Sequence, residues 1–152
     1  MHHQSIPLSG ELTTEGHILT QRVYYEDTDF SGVVYHARYL HFLERGRTDF
    51  LRCLGIEQGK VSTGDESLVF VVHRMEIDFK LPARMDDVLT IRTVTEKAAG
   101  AKLILDQEIR RDGTLLIAAR VIVAVINGRG RPQRLPAPLV AQFSYFATQS
   151  PA

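Results

Sequence analysis

The sequence has little that is typical of a secreted, membrane-spanning or nucleic-acid-binding protein. Its 152 residues include a single cysteine, Cys53, so no disulfide can form within the chain, and a reducing compartment is favoured. Lysine and arginine together number 18, as do aspartate and glutamate, which argues against a general nucleic-acid binder. The start of the chain has no basic segment followed by an apolar one, and no stretch reaches the ~18 apolar residues of a membrane span. These absences predict a soluble, cytoplasmic protein.

The composition is that of one ordinary globular domain. Hydrophobic residues make up 44% of the chain and charged residues 24%. A chain of this size can bury a core without disulfides or a structural metal. We expect a flexible N-terminal extension over residues 1–16, one domain over residues 17–147 and a C-terminal tail over residues 148–152.

The hydrophobic pattern predicts one strand, one long helix and then four strands. An amphipathic helix is expected from His36 to Leu54, with Asp49 on its polar side and Gly55 closing it. Strands are expected at residues 18–25, 68–80, 88–96, 102–110 and 115–126, with a short packed segment at 139–146. The first half of the 68–80 strand reads as buried on both faces. Asp112 and Gly113 predict a tight hairpin turn between the last two strands.

This order predicts an α+β fold in which the helix lies across an antiparallel sheet. One helix does not cover a whole sheet face, so dimerisation is expected as well. Four phenylalanines are assigned by default to the core, with the wall of a ligand tunnel as the alternative, namely Phe30, Phe42, Phe70 and Phe79.

Several catalytic patterns are absent. There is no G-x-S-x-G nucleophile elbow, no H-E-x-x-H and no C-x-x-C, and His36 and His41 lie too far apart around a helix to share a metal ion. Cys53 is read as a small core residue rather than a nucleophile. Glu44 and Arg47, three residues apart on the helix, are read as a structural pair. We expect neither a metal nor a cofactor.

A polar corner between the first strand and the helix carries the functional signal. It runs from Tyr25 to His36 and contains Asp27 and Asp29. The first free N–H groups of the helix, around Tyr35 and His36, would point into this corner and form a site for an oxyanion. An adjacent carboxylate could then attack a bound carbonyl or activate water. The alternative is that Asp27 or Asp29 only caps the turn or the helix.

The corner also carries a family resemblance. The run Asp27-Thr28-Asp29, followed by Gly32-Val33-Val34-Tyr35-His36 and then by Glu44-Arg45-Gly46-Arg47, resembles the signature of hotdog-fold acyl-CoA thioesterases. They are the 4-hydroxybenzoyl-CoA thioesterase class, and the likeness is to its bacterial Tol-Pal-associated, YbgC-type branch. It extends from about Val23 to Phe143.

The resemblance implies a long helix wrapped by an antiparallel sheet, in dimers with active sites at the interface or in homotetramers. It implies an acyl-CoA substrate, with Asp29 as catalytic nucleophile or general base and the N–H near His36 polarising the thioester carbonyl. Matching positions imply that His36 assists catalysis, either by direct proton transfer or by a hydrogen bond that orients Asp29, and that the site is lined by Tyr25, Gly32, Val34 and Tyr35.

One feature departs from the family pattern. Where some members carry a basic cluster that binds CoA phosphates, this chain has only Lys97 and Lys102. Either these two suffice, or Arg84 contributes, or the acyl group arrives on an acyl-carrier protein. The alternative for both lysines is a solvated surface position with no phosphate contact. Two other functions remain open, a hotdog dehydratase and a noncatalytic acyl-chain or carrier-protein binding module.

Overall fold

A computed structural model of the protein describes residues 9–56 and 67–146. The predicted tail at 148–152 and residues 1–8 of the predicted extension lie outside the described residues. The rest of that extension differs from the prediction, because Glu11–Thr13 forms a strand, β1, that pairs with the next strand.

The described chain folds into one antiparallel sheet and two helices, in the α+β arrangement predicted. The strands after β1 are β2 (Gly16–Arg22), β3 (Val69–Phe79), β4 (Val88–Ala99), β5 (Lys102–Arg111) and β6 (Thr114–Ile126). Helix α1 spans Arg38–Cys53, and a shorter helix, α2, spans Ala137–Tyr145 in the segment predicted to pack near the C-terminus. The six strands lie in the order β1-β2-β4-β5-β6-β3.

Helix α1 packs on one face of the sheet, as its apolar spacing predicts. Its buried side includes Phe42, Leu43 and Phe50, which join residues of β4, β5 and β6 in a single hydrophobic core. Asp49 belongs to this buried side, so its predicted place on the polar side is wrong. Gly55 takes a φ of +85° just beyond the helix, as expected of a closing glycine.

The predicted hairpin turn is present between β5 and β6. Asp112 and Gly113 have φ values of 48° and 81°, the left-handed pair that a two-residue turn of this kind requires.

Strand β3 differs from its prediction. Among the described strands it lies at the edge of the sheet, hydrogen-bonded on one side only, to β6. Val69, Val71 and Val72 are each more than two-fifths exposed instead of being buried on both faces. The eleven-residue strand therefore presents an open, apolar edge.

Neither described helix could cross a lipid bilayer, since none is both long and apolar enough.

Candidate active site

Two loops meet at the end of the sheet where the chain passes from β2 to α1. The Val34 N–H donates to the Ala83 carbonyl at 2.8 Å, and Val33 pairs with Arg84 in an isolated β-bridge. The loop between β3 and β4 therefore holds segment 23–37, which contains the predicted polar corner, in a defined path.

Asp27 has a structural role in this corner. It is buried, and its Oδ2 accepts a hydrogen bond from the Tyr24 N–H at 2.8 Å. Its Oδ1 lies 3.3 Å from Nε of Arg38, and its carbonyl accepts the Tyr35 N–H at 3.0 Å. Because both carboxylate oxygens contact the protein, the capping interpretation fits Asp27.

Asp29 is exposed, and only one of its carboxylate oxygens is engaged. Oδ1 accepts the Ser31 N–H at 2.7 Å, and the backbone turn is closed by the Gly32 N–H donating to the Asp29 carbonyl at 3.0 Å. Gly32 has a φ of +82°, which a residue with a side chain would rarely adopt. Across residues 9–56 and 67–146, Oδ2 of Asp29 has no hydrogen-bond partner, so this carboxylate is oriented but open.

The start of α1 offers two free amides beside this corner. The Tyr35 N–H is already bound to the Asp27 carbonyl, so its predicted availability is wrong. In the described parts of the chain, the amides of His36 and Ala37 donate to no acceptor. These N–H groups, at the positive end of the helix dipole, can stabilise an oxyanion.

The ring of His36 packs among aromatic side chains. Its centroid lies 4.6 Å from that of Tyr35 and 6.3 Å from that of Phe79. A shallow cavity of about 230 Å³ adjoins it, lined by Val34, His36, Tyr39, Phe79, Lys80, Leu81 and Pro82. Within the described residues the His36 ring makes no hydrogen bond with Asp29, so it acts here as a wall of the cavity.

Large apolar side chains surround the corner without being covered. Phe30 is fully exposed at 109% of its reference area, so its expected place in the core is wrong. Tyr25, Tyr35 and Phe79 are also exposed, whereas Phe42 is buried and Phe70 half-buried. Within the described residues, the corner is therefore an exposed, partly apolar surface.

Lys97 and Lys102 lie elsewhere, at the turn between β4 and β5. Both line a cleft of about 640 Å³, whose other lining residues are His73, Ala99, Gly100, Ala101, Ile104, Ala124, Val125, Ile126 and Pro132. Arg84 lies at the polar corner and not at this cleft. The predicted site residues thus fall into two groups, the corner and the cleft.

Glu44 and Arg47 do not form the predicted ion pair. Nη1 of Arg47 instead donates to Oε1 of Gln107 at 3.0 Å. Burial lowers the pKa of the Arg47 guanidinium below its ordinary value. Both residues line a mostly apolar cavity of about 190 Å³ between α1 and β3.

A buried polar cluster that the sequence patterns did not indicate joins β2 to α1. Nε2 of His17 lies 2.6 Å from Oδ2 of Asp49, which also accepts the Gly10 N–H at 2.8 Å. Sγ of Cys53 lies 3.6 Å from the same oxygen, and burial together with the Asp49 charge raises the pKa of the Cys53 thiol. The three side chains lie close enough to hold a metal ion, but their donor atoms already bond one another. We read the cluster as structural and its thiol as unreactive.

Comparisons with known proteins all match thioesterases or thioester hydrolases. Residues 23–143 match the family model of the thioesterase-like superfamily. The acyl-CoA thioesterase YbgC of Haemophilus influenzae is 42% identical over 125 residues, covering 82% of this chain and 91% of that protein. The acyl-CoA thioester hydrolase YbgC of Escherichia coli O157:H7 is 42% identical over 124 residues, covering 80% of this chain and 91% of that protein. A solved structure of a probable thioesterase from Bartonella henselae is 48% identical, with a TM-score of 0.75, covering 79% of this chain and 98% of that one.

Proposed function

The chain belongs to the thioesterase-like superfamily, and we propose that it hydrolyses acyl-CoA thioesters to a free carboxylic acid and CoA. Its helix wrapped by an antiparallel sheet is the hotdog fold expected from the sequence. The observation that carries the proposal is the 42% identity with a protein named as an acyl-CoA thioesterase, in an alignment that covers 91% of that protein.

Asp29 is the catalytic carboxylate in this proposal. Of the two aspartates in the corner, Asp27 is buried and has both oxygens engaged, whereas Asp29 is exposed and has Oδ2 free of partners in the described chain. The open amides of His36 and Ala37 support an oxyanion site nearby.

Beyond the Asp29 carboxylate and the amides that stabilise the oxyanion, the reaction needs no further catalytic group. If Asp29 is the nucleophile, its carboxylate oxygen bonds to the thioester carbon, the C–S bond breaks, and water then cleaves the mixed anhydride. If Asp29 is the base, it takes a proton from water, whose oxygen attacks the carbon directly. In both routes CoA leaves as a thiolate, which needs little acid assistance because a thiol has a pKa of about 8.5.

A dimer built through β3 is the second part of the proposal. Its open edge and exposed valines are suited to pairing with the same strand of a second copy. A two-fold axis through the middle of β3 makes this pairing antiparallel, so Phe79 lies beside the partner's Val69. The two sheets then form one continuous sheet, and the exposed aromatic residues of the corner acquire a neighbour.

This pairing brings the corner and the cleft together. In one chain they lie at opposite ends of β3, roughly 20 to 30 Å apart at ~3.3 Å per residue. In the dimer the partner's cleft lies at the same end of the sheet as Asp29, about two strand spacings, or ~10 Å, from the edge of β3. Each active site therefore combines the corner of one subunit with the cleft of the other.

Lys97 and Lys102 contact the CoA portion of the substrate in this arrangement. An acyl-carrier protein as an alternative carrier and a tetramer built from two dimers stay predictions from the family resemblance. A cytoplasmic location is proposed as well, in keeping with the single, half-buried cysteine.

Thiol release from short, long and aromatic acyl-CoAs tests the proposal. We expect wild type to release CoA and Asp29→Asn to lose about 10²-fold or more in kcat, the scale of a catalytic acid–base or nucleophilic group. Asp27→Asn is the matched control, because it removes a carboxylate from the same corner but leaves an oxygen to accept the Tyr24 N–H. Its kcat should stay within about threefold of wild type.

Full activity of a folded Asp29→Asn variant would remove Asp29 from the reaction. Absence of hydrolysis by wild type, together with binding of acyl-CoA, would instead favour the noncatalytic binding module. Water addition to an unsaturated acyl-CoA without thiol release would favour the dehydratase.

A further inference from the structure

The loop between β3 and β4, residues 80–87, contains one half of an ion pair that is part of neither the corner nor the cleft. The pair joins Asp87 to Arg111 of β5, and both side chains are half-buried. We propose that Asp87 and Arg111 are positioning residues, which lock this loop and through it set the path of the corner that presents the oxyanion amides to the substrate. This inference rests on the proposed acyl-CoA thioesterase function.

The loop holds the corner at both of its ends. At the start of the corner, the Val23 N–H donates to the Asp87 carbonyl and the Asp86 N–H donates to the Val23 carbonyl, both at 2.9 Å. At the far end, the Val34 N–H donates to the Ala83 carbonyl at 2.8 Å. Val34 lies two residues before the first open amide of the oxyanion site. The position of the loop therefore sets the position of that site.

Arg111 closes the loop from the side of the sheet. Its Nη1 donates to Oδ2 of Asp87 at 2.8 Å and to the Pro82 carbonyl at 3.3 Å. The same Asp87 oxygen accepts the Arg84 N–H at 2.8 Å, and the Asp87 N–H donates to the Arg84 carbonyl at 3.1 Å. One nitrogen of Arg111 therefore joins the residues on both sides of Ala83, the contact to the corner.

The turn that carries Asp87 is held in an uncommon conformation. Asp86 has a φ of +71°, in the left-handed region, and such a residue persists there only where surrounding contacts impose it. Partial burial opposes ionisation of Asp87, but the Arg84 N–H and the Arg111 guanidinium outweigh it and hold the pKa of this carboxyl below its ordinary value. Asp87 is therefore ionised at neutral pH, and its contact with Arg111 is charge-assisted.

A further contact ties the same loop to α1. The Ala83 N–H donates to Oη of Tyr39 at 2.9 Å, and both residues are buried. Burial raises the pKa of the Tyr39 phenol, so this acceptor is neutral. Ala83 is thus held by the helix through its N–H and holds the corner through its carbonyl. A displacement of the loop at Ala83 shifts the corner relative to the start of α1, where the open amides lie.

A positioning role of this kind acts on the transition state more than on the bound substrate. Negative charge develops on the thioester oxygen as the carbonyl carbon is attacked, so the amides that stabilise it act mainly on kcat. A misplacement of about 1 Å in a reacting geometry can cost up to ~10²-fold in rate. A merely structural ion pair would instead lower the free energy of unfolding while the folded enzyme kept its kcat.

The test breaks the ion pair from each side. Asp87→Asn, Arg111→Met and the combined variant are assayed on an acyl-CoA, at a temperature where unfolding curves show each to be folded. We expect kcat to fall about ten- to thirtyfold in each single variant, with KM within about twofold of wild type. The combined variant should lose little more than the worse single variant, because both changes break one contact.

Arg111→Lys is the conservative variant. One nitrogen of Arg111 makes both contacts with the loop, and an ammonium has three donors on one nitrogen. Its kcat should recover to within about threefold of wild type, a recovery that simple loss of packing would not show.

Glu108→Gln and Arg110→Met are the matched controls on the same strand. They break an ion pair of similar exposure, in which Nε of Arg110 lies 3.1 Å from Oε2 of Glu108. Among the described residues, their other polar contacts are with Arg92 and Gly113 and not with the β3–β4 loop. Their kcat should stay within about twofold of wild type.

Hydrogen exchange of the Val34 amide, followed by NMR, gives a readout that needs no activity. It should be about five- to tenfold faster in Asp87→Asn and Arg111→Met, because the bond to the Ala83 carbonyl is weakened. Unchanged kcat or unchanged Val34 exchange in the folded variants, or a kcat loss that Arg111→Lys does not recover, would overturn the inference while wild-type hydrolysis upheld the proposed function. Absence of hydrolysis by wild type would contradict the proposed function, and Val34 exchange would still decide whether the ion pair holds the corner.

Discussion

At the scale of single residues, His17 is the group whose protonation matters most for folding. It is fully buried, and with Asp49 ionised its Nε2–H donates to that carboxylate, leaving Nδ1 without a partner among the described residues. Burial lowers the pKa of His17 below its ordinary value of 6.5, and the hydrogen bond to Asp49 opposes this only in part. The folded state therefore prefers neutral His17.

This preference predicts a loss of stability in mild acid. As the pH falls below 6.5, the unfolded chain takes up a proton at His17 that the folded chain resists, so the free energy of unfolding declines. Denaturant unfolding between pH 7.5 and pH 5 should show this decline in wild type. It should be shallower in His17→Gln, whose amide N–H can still donate to Asp49.

His73→Gln serves as the comparison, because His73 is an exposed residue. Its pH dependence should follow that of wild type. Parallel curves for His17→Gln and wild type would show that His17 is not the group responsible.

At the scale of elements, the contact between α1 and the sheet depends on Gly46. A Cβ at this position would meet Cγ2 of Ile91 at 2.8 Å and Nε2 of Gln107 at 3.1 Å. The same Gln107 amide donates to the Leu43 carbonyl and to Oγ1 of Thr93, both at 2.9 Å. A side chain at residue 46 would therefore push the helix away from this hydrogen-bonded layer.

Gly46→Ala should lower the free energy of unfolding by about 1–3 kcal/mol, the usual range for overpacking. Helix propensity alone predicts the opposite, a gain of up to ~1 kcal/mol. Urea unfolding distinguishes the two, with the exposed His41→Ala on the same helix as a control expected within about 0.5 kcal/mol. A stabilised Gly46→Ala would refute the close-packing argument.

The elements that the sequence predicts best are those in which apolar residues recur with a regular period along the segment. Helix α1 starts only two residues later and ends only one residue earlier than predicted. The prediction is this close because the apolar spacing that indicates the helix lies within the segment itself. Strand β1 has no such period, and the contact beside it joins Gly10 to Asp49, 39 residues away. The sequence indicates the corner through Asp27 and Asp29. It does not indicate which amide at the start of α1 stays free, because that depends on the hydrogen bond from the Tyr35 N–H to the Asp27 carbonyl.

Strand β3 shows a different limit of sequence reasoning. Its apolar run correctly indicates a strand with much surface to bury. The apolar run does not reveal whether this surface is buried by another part of the same chain or by a second chain. Only the order of the described strands shows that β3 has no hydrogen-bonded neighbour on its other side.

At the scale of the whole molecule, the proposed dimer predicts complementation between two defective subunits. Asp29→Asn lacks the carboxylate, and Lys97→Ala/Lys102→Ala has a cleft without its two cations. In a mixed dimer one active site receives an intact corner from one subunit and an intact cleft from the other. A refolded equimolar mixture should then recover about a quarter of wild-type activity at low acyl-CoA, since about half the dimers are mixed.

The same mixture tests the subunit arrangement directly. If corner and cleft of one chain served the same active site, mixing would give only the average of the two variants. Analytical ultracentrifugation of Val71→Lys, which puts a charge on the open edge of β3, should show a shift toward monomer.

The two edges of the sheet are unequal, and this inequality limits how far assembly can go. The outer strand at one side, β1, has only three residues, whereas β3 at the other side has eleven. A short edge strand offers too few free backbone N–H and C=O groups to pair with another strand, so a further strand can be added to the sheet at the long edge only. In the proposed dimer the two long edges pair with each other, and the outer edges formed by the described residues are the two short ones. A sheet paired as proposed terminates at two chains and does not propagate into a ribbon or fibril, although the described chain alone has a long, apolar free edge.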